Sequence, residues 1–305
     1  MPSIPDLLTN SSRPLFSFEF FPPATAEAEE RLWASIAHLE GLHPDFVSVT
    51  YGANGSSRDR TINITRRIVA ETGLRTMAHL TCVAQSRAEL TATIESYAQV
   101  GVRHILAIRG DMPGGPTVAW EPHPEGLRNA TELVRLIKEV DPTMNVGVAA
   151  FPDIHPQARD AALDTQILID KAEAGASFAI TQMFFDAERY VALVERARRR
   201  GCDLPIIPGI QPVTALGQIE RFAELSGADL PAALVAKLRA AQSPGELRSI
   251  GSSEAASLCV QLLDAGAPGL HFFTLNRSVA TREIFAMLLE RDGGVSGISA
   301  AGGST

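Results

Sequence analysis

Short apolar runs recur along the chain at residues 15–20 (LFSFEF), 46–51 (FVSVTY), 76–83 (TMAHLTCV) and 104–108 (HILAI). The series continues at 146–151 (VGVAAF), 178–184 (FAITQMF), 205–210 (PIIPGI) and 270–275 (LHFFTL). They mix apolar and small residues without strict alternation, as strands buried on both faces do. Between most of them lies helical spacing. Leu127, Ala130, Leu133, Val134, Ile137 and Val140 form one apolar face, as do Leu32, Trp33, Ile36 and Leu39, and later Leu258, Cys259, Leu262 and Leu263. Gly41, Gly73, Gly101, Gly175, Gly201 and Gly266 each close a helical stretch just before a strand, where a left-handed helix cap is expected. Asp141-Pro142 does the stopping before the fifth strand.

Strand–helix alternation predicts an α/β fold with a parallel sheet, and eight units predict closure into a (β/α)8 TIM barrel. The gap between strands seven and eight is the longest, and extra helices are expected there at 216–225, 231–241 and 254–263. The competing architecture is a doubly wound open sheet. Against it, no G-x-G-x-x-G follows the first strand and no G-x-x-x-x-G-K-[ST] occurs. One barrel over residues 1–292 and a flexible tail over 293–305 (GGVSGISAAGGST) are expected.

Composition narrows the function. Twenty-seven basic against 35 acidic residues give a net charge of −8, which argues against nucleic-acid and anionic-membrane partners. No apolar run approaches a spanning helix, and the N-terminus lacks the form of a signal peptide, so a cytoplasmic protein is expected. Cys82, Cys202 and Cys259 are scattered, which suits neither a disulfide framework nor a zinc cluster. Only Lys138, Lys171 and Lys237 are lysines.

In a parallel barrel the chemistry sits at the carboxyl ends of the strands. Polar groups gather there: Glu19, Thr50-Tyr51, His79 and Thr81, Arg109-Gly110-Asp111, Phe151 to His155, Gln182, Gln211 and Asn276-Arg277. Glu19 stands in sequence among Phe16, Phe18, Phe20 and Phe21. A carboxylate there is either paired or a general acid with a raised pKa. Asp111 reads as a cap or a site residue, Arg109 as its neutraliser or a ligand group. His79 reads as a core histidine or a functional one, and Gln182 as a structural or a ligand-binding amide. No lysine ends a strand, so Schiff-base chemistry is unsupported. The seven histidines are dispersed, with no H-E-x-x-H, and no G-x-S-x-G occurs, so no metal site or serine nucleophile is expected. What remains is a bound organic cofactor or acid–base chemistry alone.

The segments SFEFFPP, DFVSVTYGANG, MAHLTC, ILAIRGDMP, VAAFPDIHP, AITQMFFD, IIPGIQPV and HFFTLNR, in this order, together resemble the bacterial-type methylenetetrahydrofolate reductase family from about Pro14 to Leu289. The resemblance implies a barrel that binds FAD without a Rossmann domain and works as a homo-oligomer. It implies ping-pong reduction of 5,10-methylenetetrahydrofolate to 5-methyltetrahydrofolate with NADH or NADPH. Glu19 matches the family's general acid and Asp111 its aspartate near flavin and folate. Gln182, Gln218, Phe222 and Arg277 match substrate-binding positions. Thr50, Tyr51, Ala53, His79, Arg109, Gly110, Asp111, Ala130, Phe151, His155, Ala158, Asp164 and Lys171 match flavin-binding positions. Asn129, Phe151 and Phe273 stand where relatives often carry Tyr, and Ile167 and Asp170 replace an Asn and a basic residue. Asp170 would put a negative charge near the flavin phosphates, so a flavin-free folate- or pterin-binding barrel is the alternative reading.

Overall fold

The computed structural model describes residues 1–51, 55–113, 115 and 118–291. The expectations placed on Ala53 and on a tail at 293–305 lie outside the described residues. Eight parallel strands close into one barrel in sequence order, β1 (Leu15–Phe20), β2 (Phe46–Val49), β3 (Thr76–Thr81), β4 (His104–Ile108), β5 (Asn145–Ala150), β6 (Phe178–Met183), β7 (Ile206–Ile210) and β8 (Gly269–Phe273). β8 pairs back onto β1, with Ser17 opposite His271. Helix α1 (Ile4–Asn10) precedes the barrel. The outer layer is α2 (Ala26–Glu40), α3 (Gly55–Glu71), α4 (Arg87–Gln99), α5 (Ala130–Val140), α6 (Ala161–Glu173) and α7 (Ala187–Arg199), each following its strand. Three helices fill the β7–β8 connection, α8 (Leu216–Ser226), α9 (Ala232–Ala240) and α10 (Pro244–Asp264), and α11 (Val279–Arg291) follows β8. Among the described residues no helix is long and apolar enough to cross a membrane.

Two sequence expectations need correcting. The third connecting helix starts at Pro244 rather than 254, with Ser243 capping it by accepting the Glu246 N–H. Gly41 and Gly73 are not left-handed. Gly41 keeps a helical φ of −62°, and the left-handed turn falls two residues later at His43 (φ 51°). Gly101, Gly175, Gly201 and Gly266 do have positive φ.

The two-residue period of the strands sorts the barrel into layers. On β1, Phe16 and Phe18 face outward and meet Phe285 of α11 at 4.7 and 6.2 Å between ring centres. Ser17 and Glu19 therefore face inward. The inner layer nearest the amino ends of the strands is a dry plug of Phe46, Met77, Leu106, Phe178, Ile180 and Ile207, joined by Ile4 of α1. Ile4 is fully buried, and its backbone N–H donates to His104 Nε2 at 3.1 Å. The first helix is thus a stopper for the barrel floor, held by one apolar side chain and one buried hydrogen bond. Ile4→Ala is expected to lower unfolding free energy by about 2–4 kcal/mol, read from urea denaturation. An unchanged midpoint would show that the stopper contributes nothing.

Candidate active site

Above the apolar plug the barrel interior turns polar. Glu19, Ser48, His79 and His271 come from four strands but share one layer, because each is at an inward position of its strand. Glu19 Oε2 lies 3.4 Å from His271 Nε2 and 3.5 Å from His79 Nε2. His271 is wholly buried, and its other ring nitrogen lies 2.8 Å from Ser17 Oγ. Ser48 Oγ approaches His271 Nε2 at 3.5 Å. The Glu19 side chain keeps 17% of its surface exposed, so it is the member of this group open to the mouth.

This arrangement overturns the expected setting of Glu19. The phenylalanines flanking it in sequence do not surround its carboxylate, since strand alternation sends Phe16, Phe18 and Phe20 into the outer core. Burial pushes its pKa up and is the largest single influence. The hydrogen bond from His271 and the nearby His79 and His271 outweigh it, with a smaller pull from Ser48, and hold the carboxyl below its ordinary value. His79 is driven down to about 4, chiefly by burial, and is neutral. The ligand-free barrel therefore presents Glu19 as a carboxylate.

Backbone at the mouth is fixed by β8. Thr274 Oγ1 donates to the Glu19 carbonyl at 2.6 Å, and the Asn276 amide pairs with both backbone groups of Phe21 at 3.0 and 2.8 Å. Leu275 and Asn276 are both left-handed, at φ 51° and 55°. Such conformations persist where neighbouring contacts over-determine them. Arg277 follows, exposed at the rim. Gln182 lies near the end of β6, within the register irregularity between Ile180 and Met183, and its Oε1 accepts the Met183 N–H at 2.8 Å. Gln218 and Phe222 sit four residues apart on α8, so they share one face of it. Phe222 packs, partly buried, against the small cluster of Met183, Val213, Ile219, Leu234 and Leu238.

A second group lies at the ends of β4 and β5. Gly110 has φ 84°, and a Cβ there would come within 2.7 Å of Val83 and 2.8 Å of Thr81. Only glycine fits, and the turn carries Arg109 and Asp111 to either side of it. Asp111 is exposed, while Arg109 Nη1 donates to Gln157 Oε1 at 2.6 Å. Lys171 is buried and donates from Nζ to the Ala149 carbonyl at 2.9 Å. Burial depresses its pKa to about 8, partly offset by Asp164 and reinforced by Arg109. His155 stands edge-on to Phe151 at 4.6 Å and is pushed down to about 4 by burial and by Arg109 and Lys171. Its carbonyl accepts the Ala158 N–H at 2.8 Å. Asp164 is buried, and burial raises its pKa against the pull of Lys171. Ala130 opens α5, whose cap is Asn129 accepting the Glu132 N–H. Asp170 accepts from Gln166 Nε2 at 2.6 Å.

Two participants escaped the sequence reading. His271 sits in the run LHFFTL and looks like core, and Gln85 lies beyond β3. Gln85 is buried, takes a hydrogen bond from Tyr51 Oη at 3.0 Å and donates to the Thr81 carbonyl at 2.7 Å. It thereby links Tyr51 to the end of β3. Thr50 is fixed through its backbone, its N–H donating to the Phe20 carbonyl at 2.9 Å. The tight Gly110 turn and the T-x-x-x-Q spacing of Thr81 and Gln85 were the available signals.

A family model described as methylenetetrahydrofolate reductase matches residues 4–289. A protein named 5,10-methylenetetrahydrofolate reductase from Pectobacterium carotovorum subsp. carotovorum is 42% identical over 265 residues, covering 86% of each chain. One of the same name from Escherichia coli (strain K12) is 41% identical over 278 residues, covering 91% of each. Among solved structures, an uncharacterized protein from Clostridium thermocellum that binds two copies of 5-methyl-5,6,7,8-tetrahydrofolic acid aligns with a TM-score of 0.65. It is 16% identical and covers 94% of this chain and 98% of its own. A dihydropteroate synthase from Xanthomonas albilineans in complex with 7,8-dihydropteroate aligns at 0.52 and 15% identity, covering 92% and 94%. At such identities the structural likeness shows the fold alone.

Proposed function

The chain belongs to the methylenetetrahydrofolate reductase family, and from that premise we propose that it reduces 5,10-methylenetetrahydrofolate to 5-methyltetrahydrofolate with NADH or NADPH through bound FAD. The observation that carries this reading is the pairing of two groups on one barrel: an inward carboxylate among histidines, and a cluster where Arg109, Lys171 and His155 lie close enough to influence one another.

The charge of this cluster suits the phosphates of a flavin dinucleotide. Two cationic side chains converge there, and the buried Lys171 has Asp164 as its acidic neighbour. A diphosphate would relieve that crowding through charge-assisted hydrogen bonds. Arg109 and Lys171 would hold the phosphates. Thr50, Tyr51, His79, Gly110, Asp111, Ala130, Phe151, His155, Ala158 and Asp164 would line the remainder. When bound, FAD supplies two-electron hydride transfer between nicotinamide and folate in alternating half-reactions.

The protein's own task is the proton. The five-membered ring of the folate must open before its one-carbon unit can accept hydride, and the departing nitrogen needs protonation. Glu19 is the inward carboxyl nearest the mouth and is proposed as that acid. Burial already acts upward on it more strongly than any other single influence. Covering its remaining exposed surface with ligand strengthens that influence, so the carboxylate takes up a proton as the site fills. His271 lies beneath it, with its other ring nitrogen against Ser17 Oγ. Gln182, Gln218 and Phe222 would orient the pterin, and Arg277 at the rim would meet the substrate's glutamate tail. Asp111 beside the flavin would disfavour extra electron density there and so favour hydride donation to folate.

Purified protein is expected to be yellow, to bleach with NADH or NADPH without oxygen, and to regain colour when methylenetetrahydrofolate is added. A colourless protein that takes up no added FAD, yet binds folate, would replace this reading with the flavin-free one that Asp170 suggested.

A further inference from the structure

The loop between β4 and α5 places Trp120 beside Arg109, the indole ring centre 5.3 Å from the guanidinium carbon. Such a contact steers a guanidinium and limits its freedom. Gln157 takes one of its N–H groups from the other side. The Trp120 indole Nε1 is buried and has no acceptor in reach among the described residues. A buried N–H without a partner is costly, and native structures tolerate one mainly where something else completes the site. Near Arg109 stand the buried Lys171 and the neutral His155, whose Nδ1 already accepts the Gln157 N–H. Asp111 and Asp164 are the acidic neighbours of the two cations, yet among the described residues neither reaches the indole N–H. The other tryptophan, Trp33 of α2, makes the contrast plain. It also lies under an arginine, at 4.4 Å from Arg67, but its Nε1 donates to Glu29 at 3.4 Å.

We propose that Trp120 is a ligand-binding residue, its indole N–H donating to a phosphate oxygen that Arg109 also holds. This rests on the flavin reading for the identity of the ligand, while the need for an acceptor follows from the unpartnered indole N–H beside the Arg109 guanidinium. The pair works as a clamp: the ring fixes the guanidinium plane, and the two donors converge on one diphosphate.

The test is the indole N–H resonance of the full-length 15N-labelled protein. The sequence has two tryptophans, so Trp33→Phe assigns both signals. Adding inorganic pyrophosphate or FAD is expected to move the Trp120 signal downfield and slow its exchange with water, leaving Trp33 in place. Riboflavin, which has no phosphate, should do neither. Trp120→Phe, which keeps an aromatic ring over Arg109 but has no N–H, is expected to weaken FAD binding about ten-fold or more. If FAD binds and the Trp120 signal stays, or if Trp120→Phe holds FAD as tightly as the parent protein, the inference fails. It fails also if riboflavin moves the signal and pyrophosphate does not, or if neither phosphate ligand binds. A pyrophosphate shift in a protein that takes up no FAD would uphold the anion contact while removing the flavin reading.

Discussion

Replacing Glu19 by Gln should slow reoxidation of the reduced protein by methylenetetrahydrofolate by about 10²–10⁴-fold, while reduction by NADH or NADPH stays within a few-fold of the parent. Glutamine matches glutamate in shape and can still accept a hydrogen bond from His271, so the barrel interior keeps its form. It has no proton of suitable acidity to give. In the proposed cycle only the folate half contains a bond to nitrogen that must break, so only that half should suffer. Anaerobic stopped-flow absorbance separates the halves, bleaching for one and recovery of colour for the other. Equal loss in both would make Glu19 a structural or cofactor-holding residue instead. The electrostatics sharpen the expectation. With Glu19 held as a carboxylate in the ligand-free barrel, the proposed folate half-reaction includes proton uptake. It should therefore slow as pH rises, and the Glu19→Gln protein should lose that dependence.

The barrel was legible because its punctuation is local. Six glycines and an Asp-Pro step mark where helices stop, and all eight strands lie within two residues of their expected bounds. Features set by chain closure were harder to read. α1 is seven residues long, too short for helical spacing to reveal, and it is held by the barrel floor that it fills. The start of α10 runs through Gly245, Gly251, Ser249, Ser252 and Ser253, residues of poor helix propensity that packing overrides. The site divides the same way. Glu19, Asp111 and Arg109 announce themselves as charges at strand ends. His271 does not, because a single histidine among Leu270, Phe272 and Phe273 reads as core. Only the pairing of β8 with β1, 254 residues apart in sequence for Ser17 and His271, turns it into a neighbour of Glu19. The same alternation that the apolar runs concealed moved the phenylalanines away from that carboxylate.

Acid should destabilise this protein well before its surface carboxylates are neutralised. His79 and His104 are buried, and burial holds each at about 4 against an ordinary 6.5. The unfolded chain therefore binds protons at these sites between pH 6.5 and 4 that the folded barrel refuses. Stability attributable to them is complete above 6.5, falls as pH drops through the window, and levels off below about 4. Each histidine contributes a slope of about 1.4 kcal/mol per pH unit, or about 3 kcal/mol over the window. Two together approach the whole stability of an ordinary domain. Glu19 works in the same direction at the acid end, since its lowered pKa is a contribution lost as it protonates. Asp153 and Asp164 oppose it, because burial raises both and protonation relieves them. His104 isolates the effect because it lies on the barrel floor, away from the mouth. His104→Gln keeps an acceptor for the Ile4 N–H and removes the titration. Its unfolding free energy in urea should fall less steeply than the parent's between pH 6.5 and 4, by about 1.4 kcal/mol per unit, so the two curves converge as pH falls. Parallel curves would mean that His104 is not the proton-refusing group. Where in the molecule the acid acts first also follows. A protonated His104 has no lone pair on Nε2 for the Ile4 N–H, so α1 should release from the floor ahead of global unfolding, and exchange of the Ile4 amide should accelerate in the parent but not in His104→Gln.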